Sequence, residues 1–279
     1  MLRVIGLGAV GSLFTYFLNR AGVVPEVVQR RRCWEFLFCV EGDCEKLKFR
    51  EGGAADDVGY TIVAVKAYDS RSVVPHLKGV AVVAQNGIGG YEEIKEAYPN
   101  SVPAVVTYGV YREGCRAELR GVGEIYLPSA VSTLAELLER GGGRVRLVED
   151  IEPYRWLKLA VNAAINAITA LLQAPNGVII SSPYAQTLAL EVAQEVLNVA
   201  TALGVKMPRN PVEEVLRVAS ATAKNLSSTA RDVAACAKTE IDYINGAVVK
   251  YGEALGVATP VNKALFNLIK ARESLCNSG

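Results

Sequence analysis

The 279-residue chain carries 30 Lys and Arg against 29 Asp and Glu, a net charge of +1, so it has no basic field to draw it to nucleic acid or to a membrane surface. Hydrophobic residues make up 51% of it, yet its longest apolar stretches are broken by Gly, Asn, Gln or charge short of the roughly 20 residues a bilayer span requires. The length exceeds what one ordinary core needs, and two domains are expected.

The first strand is predicted at residues 2–5, with no charged leader or cleavable apolar segment before it, which is the pattern of a cytoplasmic protein. Directly after it comes Gly6-Leu7-Gly8-Ala9-Val10-Gly11. This G-x-G-x-x-G opens a helix over 12–20, where Leu13, Phe14, Phe17 and Leu18 recur at helical spacing and Gly22 supplies the stop. Each glycine has its own task in dinucleotide binding: the first for a tight turn, the second to let phosphates approach the backbone, the third to seat the helix on the strand. The motif alone is weak, and its place between strand and helix strengthens it.

Further short, Val-rich runs at 26–29, 61–65, 80–84 and 102–106 read as buried strands of a parallel sheet. At the end of the second strand an acidic residue would bind the adenine ribose and exclude a 2′-phosphate; the chain offers Arg30-Arg31-Arg32 instead, which favours NADP, with NAD as the alternative. The competing reading is a solvated basic turn. Residues 108–127 read as a hairpin closing the sheet, turning at Arg112-Glu113-Gly114, and 145–150 as a last strand. From Pro153 onward the period is helical throughout, over 154–173, 183–203, 211–223, 230–255 and 262–274. The domain boundary falls near Asp150, giving an α/β region over 1–150 and a helical region over 151–279.

Six cysteines form no C-x-x-C pair, and His76 is the sole histidine, beside Pro75 in an expected solvated loop. No metal site and no Cys/His nucleophile is expected. The cysteines are read as structural or incidental thiols of a reducing cytosol, and acid/base chemistry falls to Lys, Glu, Asp or Tyr.

Lys158, Asn162 and Asn166 lie four residues apart on a predicted helix that is otherwise almost wholly apolar, so they share one stripe. Burying an ammonium and two carboxamides without partners would cost several kcal/mol. The stripe therefore faces either a ligand or a polar seam. Pro175-Asn176-Gly177 reads as a turn able to bring a further amide to the same place. Ser227-Ser228-Thr229 reads first as a helix N-cap, and Glu240, inside the predicted 230–255 helix, as a surface carboxylate.

Taken together the motifs resemble the ketopantoate reductase family. They comprise the glycine turn, Val65-Lys66-Ala67, Gln85-Asn86-Gly87-Ile88-Gly89, the run from Lys158 to Asn166, Pro175-Asn176-Gly177, Ser227-Ser228 and the run from Thr239 to Gly246, and they span essentially the whole chain. The resemblance implies a Rossmann-type doubly wound sheet followed by an all-helical domain like the C-terminal domain of 6-phosphogluconate dehydrogenase. It implies NADPH-dependent reduction of ketopantoate to pantoate, on the way to coenzyme A. Lys158 would be the general acid, with Glu240 at the mouth shared by cofactor and substrate. Asn86, Asn162, Asn166, Asn176 and Ser228 would hold the substrate. Gly6, Leu7, Gly8, Ala9, Val10, Gly11, Arg30, Lys66, Asn86, Glu240 and the backbone near Val110 would contact the dinucleotide. Ala167 stands where the family commonly has proline. Reduction of a different keto acid, or dinucleotide sensing without turnover, are the competing functions, and an apolar helical domain of this size allows for a homodimer.

Overall fold

The computed structural model describes residues 1–30, 33–52 and 55–276; Arg31 and Arg32 lie outside them. The chain forms two units, one of Met1–Gln85 with Gly90–Ile151 and one of Asn86–Gly89 with Glu152–Gly279.

In the first unit the elements run β1 (Leu2–Ile5), α1 (Ala9–Arg20), β2 (Glu26–Val28), β3 (Leu37–Val40), β4 (Asp43–Lys46), β5 (Arg50–Glu51), β6 (Tyr60–Val63), α2 (Ser70–Val73) and β7 (Val80–Val83). They continue with α3 (Gly90–Ala97), β8 (Ser101–Pro103), β9 (Val105–Val106), β10 (Gly109–Glu113), β11 (Arg116–Gly121), β12 (Ile125–Pro128), α4 (Ser132–Arg140) and β13 (Val145–Val148). Among the described residues a six-stranded sheet has the order β5-β2-β1-β6-β7-β8, all neighbours parallel. The order turns back at β1, so the gap beyond the carboxyl ends of β1 and β6 is the switch point where such sheets bind ligands. A fully buried Arg3 donates from Nε to Glu26 Oε2 at 2.6 Å and from its Nη atoms to the carbonyls of His76 and Ala55. The His76 side chain is exposed, as expected.

The hairpin β10–β11 is present but does not close that sheet. It joins a four-stranded sheet of order β10-β11-β3-β4, in which β11 runs parallel to β3 and the buried Ala117 pairs with the buried Phe38. Neither β3 nor β4 was expected. Their two-residue turn is Glu41-Gly42, both with positive φ, and a glutamate there lacks the Asn-Gly or Asp-Gly signature of such turns.

The second unit contains α5 (Glu152–Leu172), α6 (Val178–Ser181), α7 (Pro183–Ala202), α8 (Pro211–Ala221), α9 (Ser228–Ala234), α10 (Asn245–Leu255) and α11 (Pro260–Cys276). Helix α5 is its axis, packed against α7, α8, α9 and α11. Ala160, Ala163, Ala164 and Ala167 on it are fully buried, and such small side chains let neighbouring helices approach closely. Among the described residues no helix is long and apolar enough to cross a membrane.

Two expectations fail here. The predicted 230–255 helix is broken: α9 stops after Ala234 and α10 starts at Asn245. The stop is a Schellman arrangement in which Ala237 N–H reaches Asp232 O and Cys236 N–H reaches Val233 O, with Cys236 itself at φ 49°. Glycine usually fills that left-handed position, and a cysteine there hides the stop. The cysteines, moreover, are not thiols. All six pair, Cys33 with Cys115, Cys39 with Cys44 across the β3–β4 hairpin, and Cys236 with Cys276. Partners so far apart in sequence meet only in the fold, which spacing does not reveal. Two of the bonds close loops of 82 and 40 residues, and each should stabilise by about 2–4 kcal/mol. Reduction, or serine at Cys33 or Cys236, should therefore lower the midpoint of thermal unfolding measured by calorimetry; an unchanged midpoint would show that the bond contributes nothing.

Candidate active site

Gly6 ends β1 with φ 91°, and a Cβ placed on it would come within 2.8 Å of Val65 Cγ1. At Gly11 a Cβ would sit 1.9 Å from the Gly6 carbonyl oxygen, so the helix can lie this close to the turn only with glycine there. Gly8 differs. The nearest atom to a Cβ there is Ala64 O at 3.9 Å, so the position is uncrowded. Helix α1 begins after it with no side-chain cap and no acidic residue in its first turn. Its first N–H groups therefore lack helical acceptors and are offered, with the positive end of the dipole, to an anion. This cradle fits a pyrophosphate: crowded where the glycines pack, open where phosphates would approach.

Around it, Lys66 follows Val65 at the carboxyl end of β6, and its carbonyl accepts from Gln85 Nε2 at 3.3 Å. Arg30, four-fifths exposed, donates to Asp69 Oδ2 at 2.5 Å. Val110 is half-buried in β10 and sits where that strand's register shifts.

The second unit gathers Lys158, Asn86 and Glu240. Residues 86–89 follow β7 in sequence but pack with the helices, held by a hydrogen bond from Ile88 N to Tyr243 O at 2.8 Å. Gly87, with φ 78°, lies so close to that carbonyl that a Cβ would stand 2.1 Å from it. Lys158 Nζ donates to Asn86 Oδ1 at 2.8 Å, and Asn86 Nδ2 points to Glu240 Oε2 at 3.4 Å. An ammonium only donates and a carboxylate only accepts, so one orientation of the Asn86 amide satisfies both. Glu240 is 3% exposed in the break between α9 and α10; the surface carboxylate of a continuous helix does not exist. Burial pushes the Lys158 ammonium down from 10.5 to about 8, while the Glu240 charge acts to hold it up.

Asn162 is half-buried and Asn166 buried, one and two turns beyond Lys158 on α5. Asn176 is buried, its Nδ2 donating to Thr222 Oγ1 at 2.9 Å while its Oδ1 is buried with no hydrogen-bond partner. Thr222 gives its own hydrogen to Val218 O at 2.7 Å, so turning the amide over would not satisfy that oxygen. Ser227 caps α9 by accepting from Ala230 N, and its Oγ lies 2.8 Å from Thr169 Oγ1 on α5. This anchors the half-buried Ser228 beside α5. Thr169 and Thr222, which orient these groups, carry no sequence signal because helical threonines are common. Ala167, in place of a proline, leaves α5 continuous from Glu152 to Leu172. Among the described residues no group of three or more His, Cys, Asp or Glu is placed to hold a metal ion.

A glycine turn between the first strand of a parallel sheet and its helix, followed in the chain by an all-helical unit, defines the class: an NAD(P)-dependent oxidoreductase. Residues 3–131 match the family described as ketopantoate reductase PanE/ApbA and residues 150–273 its C-terminal counterpart. The chain belongs to the ketopantoate reductase family. It is 34% identical to a 2-dehydropantoate 2-reductase of Archaeoglobus fulgidus, over 98% of both chains, and 30% identical to one of Pyrococcus horikoshii, again over 98% of both. A PanE/ApbA family ketopantoate reductase from Ralstonia eutropha superposes with a TM-score of 0.89 at 26% identity, over 99% of this chain and 100% of that one. D-mandelate dehydrogenase, solved with NADH and anilino(oxo)acetate, shares the fold with a TM-score of 0.87 at 23% identity, over 99% and 100%.

Lys158 should titrate near 8 when followed by NMR of labelled lysine side chains, and Glu240→Gln should move it lower still, because the carboxylate opposes the burial effect. A wild-type value near 10.5 would mean that solvent reaches the ammonium.

Proposed function

We propose that this chain is a 2-dehydropantoate 2-reductase with Lys158 as its general acid, and the observation that carries the reading is the half-buried Lys158, whose ammonium is bonded to Asn86 beside Glu240. Residues 1–150 are the dinucleotide-binding domain in this reading, and residues 151–279 the substrate-binding and catalytic domain. The Gly6–Gly11 turn and the first turn of α1 hold the pyrophosphate, with Arg30, Lys66, Asn86, Glu240 and the backbone at Val110 contacting the rest of the dinucleotide. When bound, reduced nicotinamide supplies the hydride to the keto carbon.

As charge gathers on the carbonyl oxygen, the Lys158 ammonium interacts with it more strongly than with the neutral ketone, which is the differential stabilisation that lowers a barrier. Lys158 Nζ then gives up its proton to that oxygen. An acid whose pKa lies near the working pH does this best, and burial brings Lys158 there. Asn86 accepts from Nζ and aims it; Glu240 keeps enough of it charged. The amides of Asn162 and Asn166 donate to the substrate carboxylate and accept from its hydroxyl. Ser228 adds a hydroxyl to the same set. The unpartnered Asn176 Oδ1 is an acceptor awaiting a donor, a role the hydroxyl of a hydroxylated keto acid fills.

Loss of nicotinamide absorbance with ketopantoate, among a panel of 2-keto acids, tests the substrate. Lys158→Ala should cost on the order of 10²-fold or more in kcat, and Asn162→Ala or Asn166→Ala should raise KM with a smaller change in kcat. In the wild type, kcat/KM for reduction should fall as pH rises through about 8, because the acid is lost there. Near-normal turnover by the alanine variant at Lys158 would refute the assignment.

NADPH is the preferred cofactor in this reading, because the end of β2 presents Arg30 where an acidic residue would repel a 2′-phosphate. Arg30→Ala should raise KM for NADPH severalfold and leave KM for NADH unmoved; equal effects on both would remove Arg30 from 2′-phosphate recognition.

A further inference from the structure

Between α9 and α10 a single 3-10 turn, Ile241–Tyr243, follows Glu240, and the residues around that carboxylate are buried: Thr239 is 0%, Glu240 3% and Ile241 0% exposed. Two of this segment's backbone donors are met by side chains. Glu273 Oε1, near the end of α11, accepts from Thr239 N at 2.8 Å and from Thr239 Oγ1 at 2.7 Å. Thr239 Oγ1 in turn accepts from Ile241 N at 3.1 Å. Thus the residue before Glu240 is tied directly to one carboxylate, and the residue after it through the Thr239 hydroxyl.

Two further ties flank this one. Lys270 Nζ bridges Glu273 Oε2 at 2.9 Å and Asp242 Oδ2 at 3.0 Å, and Cys276 is bonded to Cys236. Lys270, Glu273 and Cys276 recur every three residues, so one face of α11 meets the segment at Asp242, Thr239 and Cys236 in turn. Of the three ties, only Glu273 bonds a residue adjoining Glu240. The charged groups facing Glu273 are Lys270 on its own helix and Asp242 beyond it, while Lys238 and Arg272 line the same hollow. Burial pushes the Glu273 carboxyl up, but the hydrogen bonds from Lys270 and Thr239 together outweigh it and hold the carboxyl below its ordinary value, which keeps it an acceptor over the working range.

We infer that Glu273, acting through Thr239, is a positioning residue that fixes Glu240 against Asn86 and so keeps a negative charge beside Lys158. Glu273 touches neither Lys158 nor any reacting atom in this account; its effect passes through the 239–241 segment. The inference rests on the reading of Lys158 as the acid and Glu240 as its neighbour in the reaction.

The pH dependence of kcat/KM tests it. Thr239→Val keeps the shape and removes the hydroxyl, and Glu273→Ala removes the acceptor. In both, Glu240 is released and the alkaline limb should move from about 8 toward lower pH by about one unit. Activity would then fall about tenfold between pH 6 and pH 8, against about twofold in the wild type, a pattern that general loosening of the fold does not produce. Thr239→Ser keeps the hydroxyl and should restore the limb. Glu273→Gln retains the volume and a neutral acceptor, so it should fold and show a smaller shift of the same sign. A wild-type limb in any of Thr239→Val, Glu273→Ala or Glu273→Gln that folds, judged by its thermal midpoint, overturns the inference. Glu240→Gln separates the two levels: if it too leaves the limb unmoved, the role given to Glu240 fails, whereas a shift there without one in the others condemns the positioning role alone.

Discussion

An ammonium on a helix whose other faces are packed with alanine, valine and isoleucine must lose most of its hydration, and that loss is the constraint around which the helical unit is arranged. A lone buried charge would neutralise itself or unfold its surroundings. Lys158 does neither, because Asn86 supplies an oxygen at 2.8 Å and Glu240 supplies opposite charge behind it. The compromise is a lysine that titrates near 8. It can hold a proton and can part with one, which an ordinary surface lysine does poorly at neutral pH.

Both partners of Lys158 come from irregular backbone, and each needs its own anchor. Asn86 lies in a four-residue piece that leaves the sheet unit and packs with the helices, pinned at Tyr243 by a contact only glycine at position 87 allows. Glu240 lies between two helices, where the neighbouring backbone donors are satisfied by Glu273 and by Thr239. Tyr243, Thr239 and Glu240 belong to one short stretch. The same turn of chain therefore holds both groups that face the lysine, and α11 packs behind it through Glu273 and Lys270.

The sheet unit obeys a different constraint. Its glycine turn must let a helix begin almost on top of a strand while leaving room for phosphates, and only residues without Cβ satisfy the first demand. The structure separates the two roles by space: Gly6 and Gly11 are crowded, Gly8 is open. The buried Arg3–Glu26 pair ties β1 to β2 beneath that turn, and removing one member of such a pair leaves an uncompensated charge.

Features set by local periodicity were legible in the chain itself. The glycine turn between β1 and α1, the Val-rich parallel strands, the α5 stripe of Lys158, Asn162 and Asn166, and the N-cap at Ser227 all follow from spacing and residue type, because each is decided within a turn of helix or a few residues of strand. Tertiary structure alone decided the rest. It paired cysteines 82 and 40 residues apart, seated the β10–β11 hairpin on β3 in place of the main sheet, and stopped α9 at a cysteine where glycine is the usual signal. It also turned Glu240 from an expected surface carboxylate into a buried neighbour of Asn86. These outcomes depend on which distant backbone donors and apolar faces find partners, and a donor such as Ile241 N–H carries no mark in the sequence of the side chain that will meet it.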